Sequence, residues 1–98
     1  MSGDVSVHVV VRGRVQGVGY RAFIEREAAL RGLRGWVRNR RDGTVEAVLS
    51  GRAEAVREAI ECCRAGPPAA RVETIDQRAA SAGDLALGGG AFTVLPTA

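Results

Sequence analysis

Residues 13–21 read Gly13-Arg14-Val15-Gln16-Gly17-Val18-Gly19-Tyr20-Arg21, and the chain's most specific chemistry lies here. Three glycines in seven residues let the backbone reach positive φ and come close to a ligand. A β-branched run, Val5 to Val11, precedes the stretch, and a polar-apolar mix of helical character, Ala22 to Leu30, follows it. Strand, glycine-rich loop and helix start aim several backbone N–H groups and a helix dipole at one point, which suits an anion such as phosphate. Arg21 adds a guanidinium whose planar fork pairs with phosphate oxygens two at a time. The expectation is that the amides of Val15, Gln16, Gly17, Val18, Gly19 and Tyr20, with the Arg21 side chain, hold a phosphoryl group.

Other uses of such a loop fit less well. Gly17-Val18-Gly19-Tyr20-Arg21-Ala22 matches G-x-G-x-x-A, and Asp42 lies about 20 residues on, as in a dinucleotide fingerprint. Tyr20 and Arg21 are bulky where the backbone would have to approach a pyrophosphate, Asp42 falls in a hairpin, and the chain is short for a doubly wound domain. No Gly-Lys-Ser/Thr follows, so this is not a Walker A loop. RNA-recognition domains share the element order found below but stack bases on strand aromatics. Val5 to Val11 and Val45 to Leu49 contain none. A non-catalytic module that senses phosphate or another anion would use the same loop without turnover.

The elements that position the loop can be read from periodicity. Val5, Val7, Val9 and Val11 alternate with Ser6, His8, Val10 and Arg12, which predicts a strand with one buried face. His8 falls on the opposite face and is expected at the surface. A helix is predicted from Arg21 to Leu30, stopped at Gly32, with Tyr20, Phe23, Ile24, Ala28 and Leu30 in one broad arc that also contains Glu27. Leu33 to Arg38 reads as a strand anchored in the core by Trp36. Asp42-Gly43 then turns a hairpin into a third strand, Thr44 to Ser50, antiparallel to the second. A second helix spans Arg52 to Ala65, with Val56, Ala59, Ile60 and Cys63 at i, i+3, i+4, i+7, and Gly66-Pro67-Pro68 ends it. Arg71 to Gln77 is a fourth strand, Arg78 to Gly90 a mobile surface loop, and Phe92 to Leu95 a fifth strand closing the sheet. The order β-α-β-β-α-β plus a short terminal strand makes this an α+β protein. Its architecture is a split βαβ sandwich, with both helices on one face of a mostly antiparallel sheet and the other face left to solvent.

The 98 residues, 46% hydrophobic and 26% charged, are expected to form one domain, residues 1–98, with a single core. No run approaches a membrane span and the N-terminus lacks a signal-peptide pattern, so a cytoplasmic protein is expected. The net charge is +3 and all fourteen basic residues are arginine, which permits nucleic-acid binding without arguing for it. Cys62 and Cys63 are adjacent, and neighbours on a helix diverge too far for a bridge or a paired metal site. Cys63 is expected in the core and Cys62 as a partly exposed thiol.

Four blocks together are more specific than any one glycine motif. They are the loop itself, Gly35-Trp36-Val37-Arg38-Asn39, Asp42-Gly43-Thr44-Val45-Glu46, and Gly66-Pro67-Pro68-Ala69-Ala70-Arg71-Val72. In this order and spacing, over about residues 5–77, the chain resembles the acylphosphatase family. The resemblance implies a ferredoxin-like sandwich and hydrolysis of acyl phosphates to carboxylate and inorganic phosphate by direct attack of water. It implies Arg21 as the phosphate-binding catalytic arginine and Asn39 as the residue that orients water. The sequence departs from the family pattern where Tyr20 replaces the usual Phe, where Arg40 replaces a Thr common after the asparagine, and in the loosely matching segment 92–95. An acyl phosphate already carries a carboxylate leaving group, so positioning and charge stabilisation suffice. No histidine, cysteine or carboxylate pair accompanies the loop, and neither a metal nor another cofactor is expected. Inorganic phosphate is then both product and competitive inhibitor. The working unit is expected to be a monomer without nucleic-acid or membrane partners.

Overall fold

The computed structural model describes residues 3–98, and in it the valine alternation near the N-terminus becomes a long strand, β1 (Asp4–Arg14). There follow α1 (Tyr20–Leu30), β2 (Arg34–Asn39), β3 (Val45–Arg52), α2 (Ala53–Ala65), β4 (Arg71–Ala79), α3 (Ala82–Ala86) and β5 (Thr93–Val94). The sheet runs β4-β1-β3-β2-β5, antiparallel throughout except for β5, which lies parallel to β2. Register puts Val9 beside Ala47, Ala47 beside Val37, and Val11 beside Val45. One face is thereby paved with small and branched apolar groups. Against them α1 packs Tyr20, Ile24 and Ala28, and α2 packs Val56, Ala59, Ile60 and Cys63, forming the main core of a ferredoxin-like sandwich. Their side chains follow the expected spacing, and Cys63 is buried while Cys62 is half-buried.

Chain chemistry sets the helix ends. Gly32, at φ 65°, closes α1 with paired bonds from the Gly32 amide to Ala29 O (3.2 Å) and the Leu33 amide to Ala28 O (2.9 Å). Leu30, expected in the buried arc, is 73% exposed. At 100° per residue it lies about 120° around the helix from the Tyr20–Ile24–Ala28 row, and α1 ends before another turn can cover it.

The second face of the sheet differs most from expectation, because it is not left to solvent. His8 and Trp36, on either side of Val48, project there, as do Glu46 and Arg38. His8 is buried, not at the surface: its Nε2 lies 2.7 Å from Glu46 Oε2, and its ring meets Trp36 edge-on at 6.5 Å. The Arg38 Nε donates to Glu46 Oε1 at 2.8 Å, and its guanidinium lies 4.8 Å from the Trp36 ring centre. The cover comes from residues 78–90, which are not a featureless loop. β4 continues to Ala79, and Ser81 and Asp84 form a reciprocal capping box that starts α3. The Trp36 indole N–H donates to Asp84 O at 2.7 Å, and Arg78 pairs with the Asp84 carboxylate at 2.8 Å, fastening α3 over the ring. Trp36 therefore belongs to a second, smaller core, separate from the helix side.

Candidate active site

The glycine loop begins where β1 loses its regular register: the β1–β4 pairing shifts between Arg12 and Gly13. The loop reaches α1 at Gly19, which takes a left-handed conformation (φ 81°) in the cap position with no side-chain cap. Gly17 is left-handed as well, at φ 74°. An added Cβ at either would meet no atom within 4 Å, so conformation rather than crowding selects glycine. Among the described residues, the amides from Gln16 to Ala22 donate to no backbone carbonyl. α1 has no acidic side chain in its first turn, so its positive end stays uncompensated.

The loop and the start of α1 border a cavity of about 350 Å³ lined by Val15, Gly17, Gly19, Tyr20, Arg21, Ala22, Glu25, Asn39 and Val94. Arg21, second residue of α1, is half-buried and has no hydrogen bond or ion pair among the described residues. Across the cavity stands Asn39, last residue of β2, whose Oδ1 is buried without a hydrogen-bond partner. A desolvated carbonyl oxygen and a half-buried guanidinium left without partners are costly in a folded protein unless a ligand or water satisfies them. The backbone of Asn39 is held on both sides. It pairs with Val45 across β3, and its carbonyl accepts the Ala98 amide at 3.0 Å. Arg41 donates to Ala98 O at 2.9 Å, so the C-terminal residues strap the turn beyond Asn39.

The residues that the sequence marked separate into three kinds. Val15, Gly17, Gly19, Tyr20, Arg21 and Asn39 surround one cavity. Val18 turns its side chain to the core. Gln16 directs its side-chain amide away from the cavity, to the carbonyls of Arg40 (2.7 Å) and Thr44 (2.8 Å) in the β2–β3 turn. Tyr20 is buried and donates its hydroxyl to Cys63 O at 2.7 Å. Ala22, Glu25 and Val94 line the cavity and were not foreseen. Glu25 follows Arg21 by four positions, which places both on one side of α1. Val94 arrives only because β5 adds in parallel beside β2.

Ionisable groups near the cavity are few. Asp42 is held below the usual carboxylate range by bonds from the Thr44 hydroxyl (2.6 Å) and amide (3.0 Å), which fix the turn after Asn39. Burial pushes the Tyr20 phenol far up and the Cys63 thiol to about 12, so both stay neutral. Among the described residues no group of three His, Cys, Asp or Glu side chains is placed to hold a metal ion.

Comparison with known proteins finds one family over most of the chain. The acylphosphatase family model matches residues 7–85. An acylphosphatase of Rhodopseudomonas palustris is 57% identical over 91 residues, covering 91% of this chain and 92% of the relative. Among solved structures, an acylphosphatase from Coxiella burnetii superposes with a TM-score of 0.84 at 31% identity, covering 95% of this chain and 94% of its own. That from Bacillus subtilis does so at 0.78 and 33%, covering 93% and 98%.

Proposed function

The chain belongs to the acylphosphatase family, and from that premise we propose that Arg21 and the loop amides of residues 15–20 hold the phosphoryl group of an acyl phosphate while Asn39 orients the attacking water. The protein hydrolyses acyl phosphates to a carboxylate and inorganic phosphate. The single observation that carries the residue assignment is convergence. Arg21 with its unpaired guanidinium, loop glycines at a helix start without a side-chain cap, and Asn39 with its unsatisfied buried carbonyl oxygen all border one cavity.

The chemistry follows from these positions. The phosphoryl oxygens sit among the loop amides and the α1 N-terminus, with the Arg21 fork across two of them. Charge on the equatorial oxygens is thereby stabilised as the bond to the leaving oxygen loosens. The Asn39 Oδ1 accepts a hydrogen bond from water and directs its oxygen at phosphorus, in line with the carboxylate. The P–O bond to the acyl group breaks and its electron pair leaves on the carboxylate. The water oxygen stays on phosphorus with one proton, and the second proton moves to a phosphoryl oxygen. A dianionic acyl phosphate and water thus give carboxylate and dihydrogen phosphate. No side chain needs to gain or lose a proton.

All of these groups come from the β1–α1 loop, the start of α1 and the end of β2 of one chain, which supports a monomer as the working unit. Two unbridged cysteines support a reducing, cytoplasmic setting. The decisive assay is continuous hydrolysis of benzoyl phosphate with a phosphomonoester as control. Cleavage of the first alone supports the assignment, whereas phosphate binding without cleavage of either would instead mark an anion-sensing module.

A further inference from the structure

The two halves of the site come from the C-terminal ends of two different strands, and one side chain spans them. The loop that carries the free amides follows β1, whereas Asn39 stands at the end of β2, on the far side of β3 in the sheet. Gln16 lies in the loop, and both hydrogens of its side-chain amide are used: one reaches Arg40 O at 2.7 Å, the other Thr44 O at 2.8 Å. These two carbonyls flank the tight turn, where the Arg40 amide also donates to Thr44 O at 2.9 Å. Arg40 is the residue next to Asn39, so the Gln16 bond to its carbonyl holds the Arg40–Arg41 peptide, one residue beyond Asn39. Thr44 Oγ1 and the Thr44 amide are engaged with Asp42. The turn is therefore rigid in itself, and Gln16 fixes where that rigid unit sits relative to the loop.

We infer that Gln16 is a positioning residue for hydrolysis: its side-chain amide sets the distance between the phosphate-holding loop and the Asn39 carboxamide. The inference rests on the assignment of Asn39 to water. It makes the glutamine side chain, not only its backbone amide, part of how the reaction is timed. A displacement of about 1 Å between a bound reactant and the group that aims water at it is enough to slow an oriented reaction about 100-fold. Two part-buried bonds are the means of preventing that displacement. An aspartate or glutamate here would face two carbonyl oxygens with a third, and an asparagine is one carbon shorter.

The test is a double-variant cycle on the full chain, with benzoyl phosphate as substrate and inorganic phosphate as the binding probe. Gln16→Met keeps the side chain's length and removes both donors. Its kcat should fall tenfold or more while the phosphate inhibition constant stays within twofold, because the loop still holds its anion. In an Asn39→Ala background the same substitution should cost less than twofold, since there is no longer a carboxamide to place. Phosphate titration reports the folded fraction of each variant, so kcat refers to folded molecules even where stability drops. Gln16→Glu, which also keeps the shape, should lose at least as much rate as Gln16→Met. Three results would overturn the inference: unchanged kcat in Gln16→Met, a phosphate affinity that falls in step with rate, or a Gln16 effect that persists undiminished without Asn39. Failure of the underlying assignment looks different, because Asn39→Ala alone would then retain the parent kcat.

Discussion

Removing the Tyr20 hydroxyl is expected to destabilise the fold out of proportion to one oxygen atom, for a reason written in the sequence of α2. Within that helix the carbonyl of Cys63 would ordinarily accept the amide four residues on, but residue 67 is proline and has no N–H. The preceding carbonyl, that of Cys62, is served by Gly66 at 2.9 Å, and the helix ends there. Cys63 O is buried with its residue, and the hydroxyl of Tyr20 reaches it from α1 at 2.7 Å. Tyr20→Phe leaves the ring packing intact and strands that carbonyl, at a cost of about 1–3 kcal/mol for an unsatisfied buried group. For a domain of this size each kcal/mol lowers Tm by about 4–8 °C, so a fall of roughly 4–24 °C is expected. Thermal melts followed by far-ultraviolet circular dichroism measure it. Urea unfolding should show a lower midpoint with an unchanged m-value, the mark of lost stability rather than an altered unfolded state. A Phe variant that melts within about 2 °C of the parent would refute the reasoning, and would mean that the helix end rearranges to satisfy Cys63 without Tyr20.

Four further expectations concern the site and the covered face of the sheet. Arg21→Lys should lower both phosphate affinity and kcat/KM by about 10–100-fold, the worth of a charged hydrogen bond; a lysine variant that keeps parental kinetics would reduce Arg21 to a simple charge. Asn39→Ala should lower kcat by about 10²–10³ while KM and phosphate inhibition hardly move, which steady-state kinetics would show. Phosphate at a hundredfold excess over Kd should stabilise the parent by about 2.7 kcal/mol, seen as a rise in Tm of roughly 10–20 °C at constant ionic strength. Burial alone would raise the Glu46 carboxyl, but bonds from His8 and Arg38 outweigh it and hold the pKa below the usual range. The stability this contributes is full above the ordinary Glu pKa and is lost as pH falls through the depressed one, so Glu46→Gln should flatten the acid limb of Tm against pH.

How much could be read from the chain depends on what each feature's partners are. The helix-side core was legible because Val9, Val11, Val56 and Ile60 repeat at strand and helix periods, and such repeats need no knowledge of long-range contacts. The covered sheet face was not, because its cover, residues 78–90, is mostly Ala and Gly with only Leu85 and Leu87 as large apolar residues, too few to set a period. Ser81 and Asp84 did carry a capping pattern, three positions apart, that marks a helix start even in so short an element. His8 was misplaced for the same reason: a strand histidine looks like a surface residue until Glu46 and Trp36 are known to be its neighbours. At the site, Arg21 was marked by the glycine loop that precedes it, whereas Asn39 was marked only by the resemblance to the family. The terminal strand was expected over Phe92 to Leu95 and is present as β5, but its parallel placement beside β2, which brings Val94 to the cavity, leaves almost no trace in composition. The same holds for the side-chain role of Gln16, whose partners are carbonyls that any residue would supply.

The distribution of order across the molecule explains how a loop so rich in glycine can hold a precise geometry. Glycine at positions 17 and 19 makes the cradle's shape possible, yet by itself leaves it undetermined, because glycine has the widest choice of conformations. Determination comes from the ends. One end is pinned by the β1–β4 pairing that resumes at Gly13. The other is pinned by Tyr20, whose ring packs in the core and whose hydroxyl is bonded to α2. Val18 anchors the middle in the same core, and Gln16 ties the near side to the turn beyond Asn39. From Gln16 to Arg21 every residue with a free amide is itself one of these anchors or adjoins one. The loop therefore combines the conformations that only glycine allows with the rigidity that electrostatic stabilisation requires, since donors that had to reorganise during reaction would forfeit most of their effect.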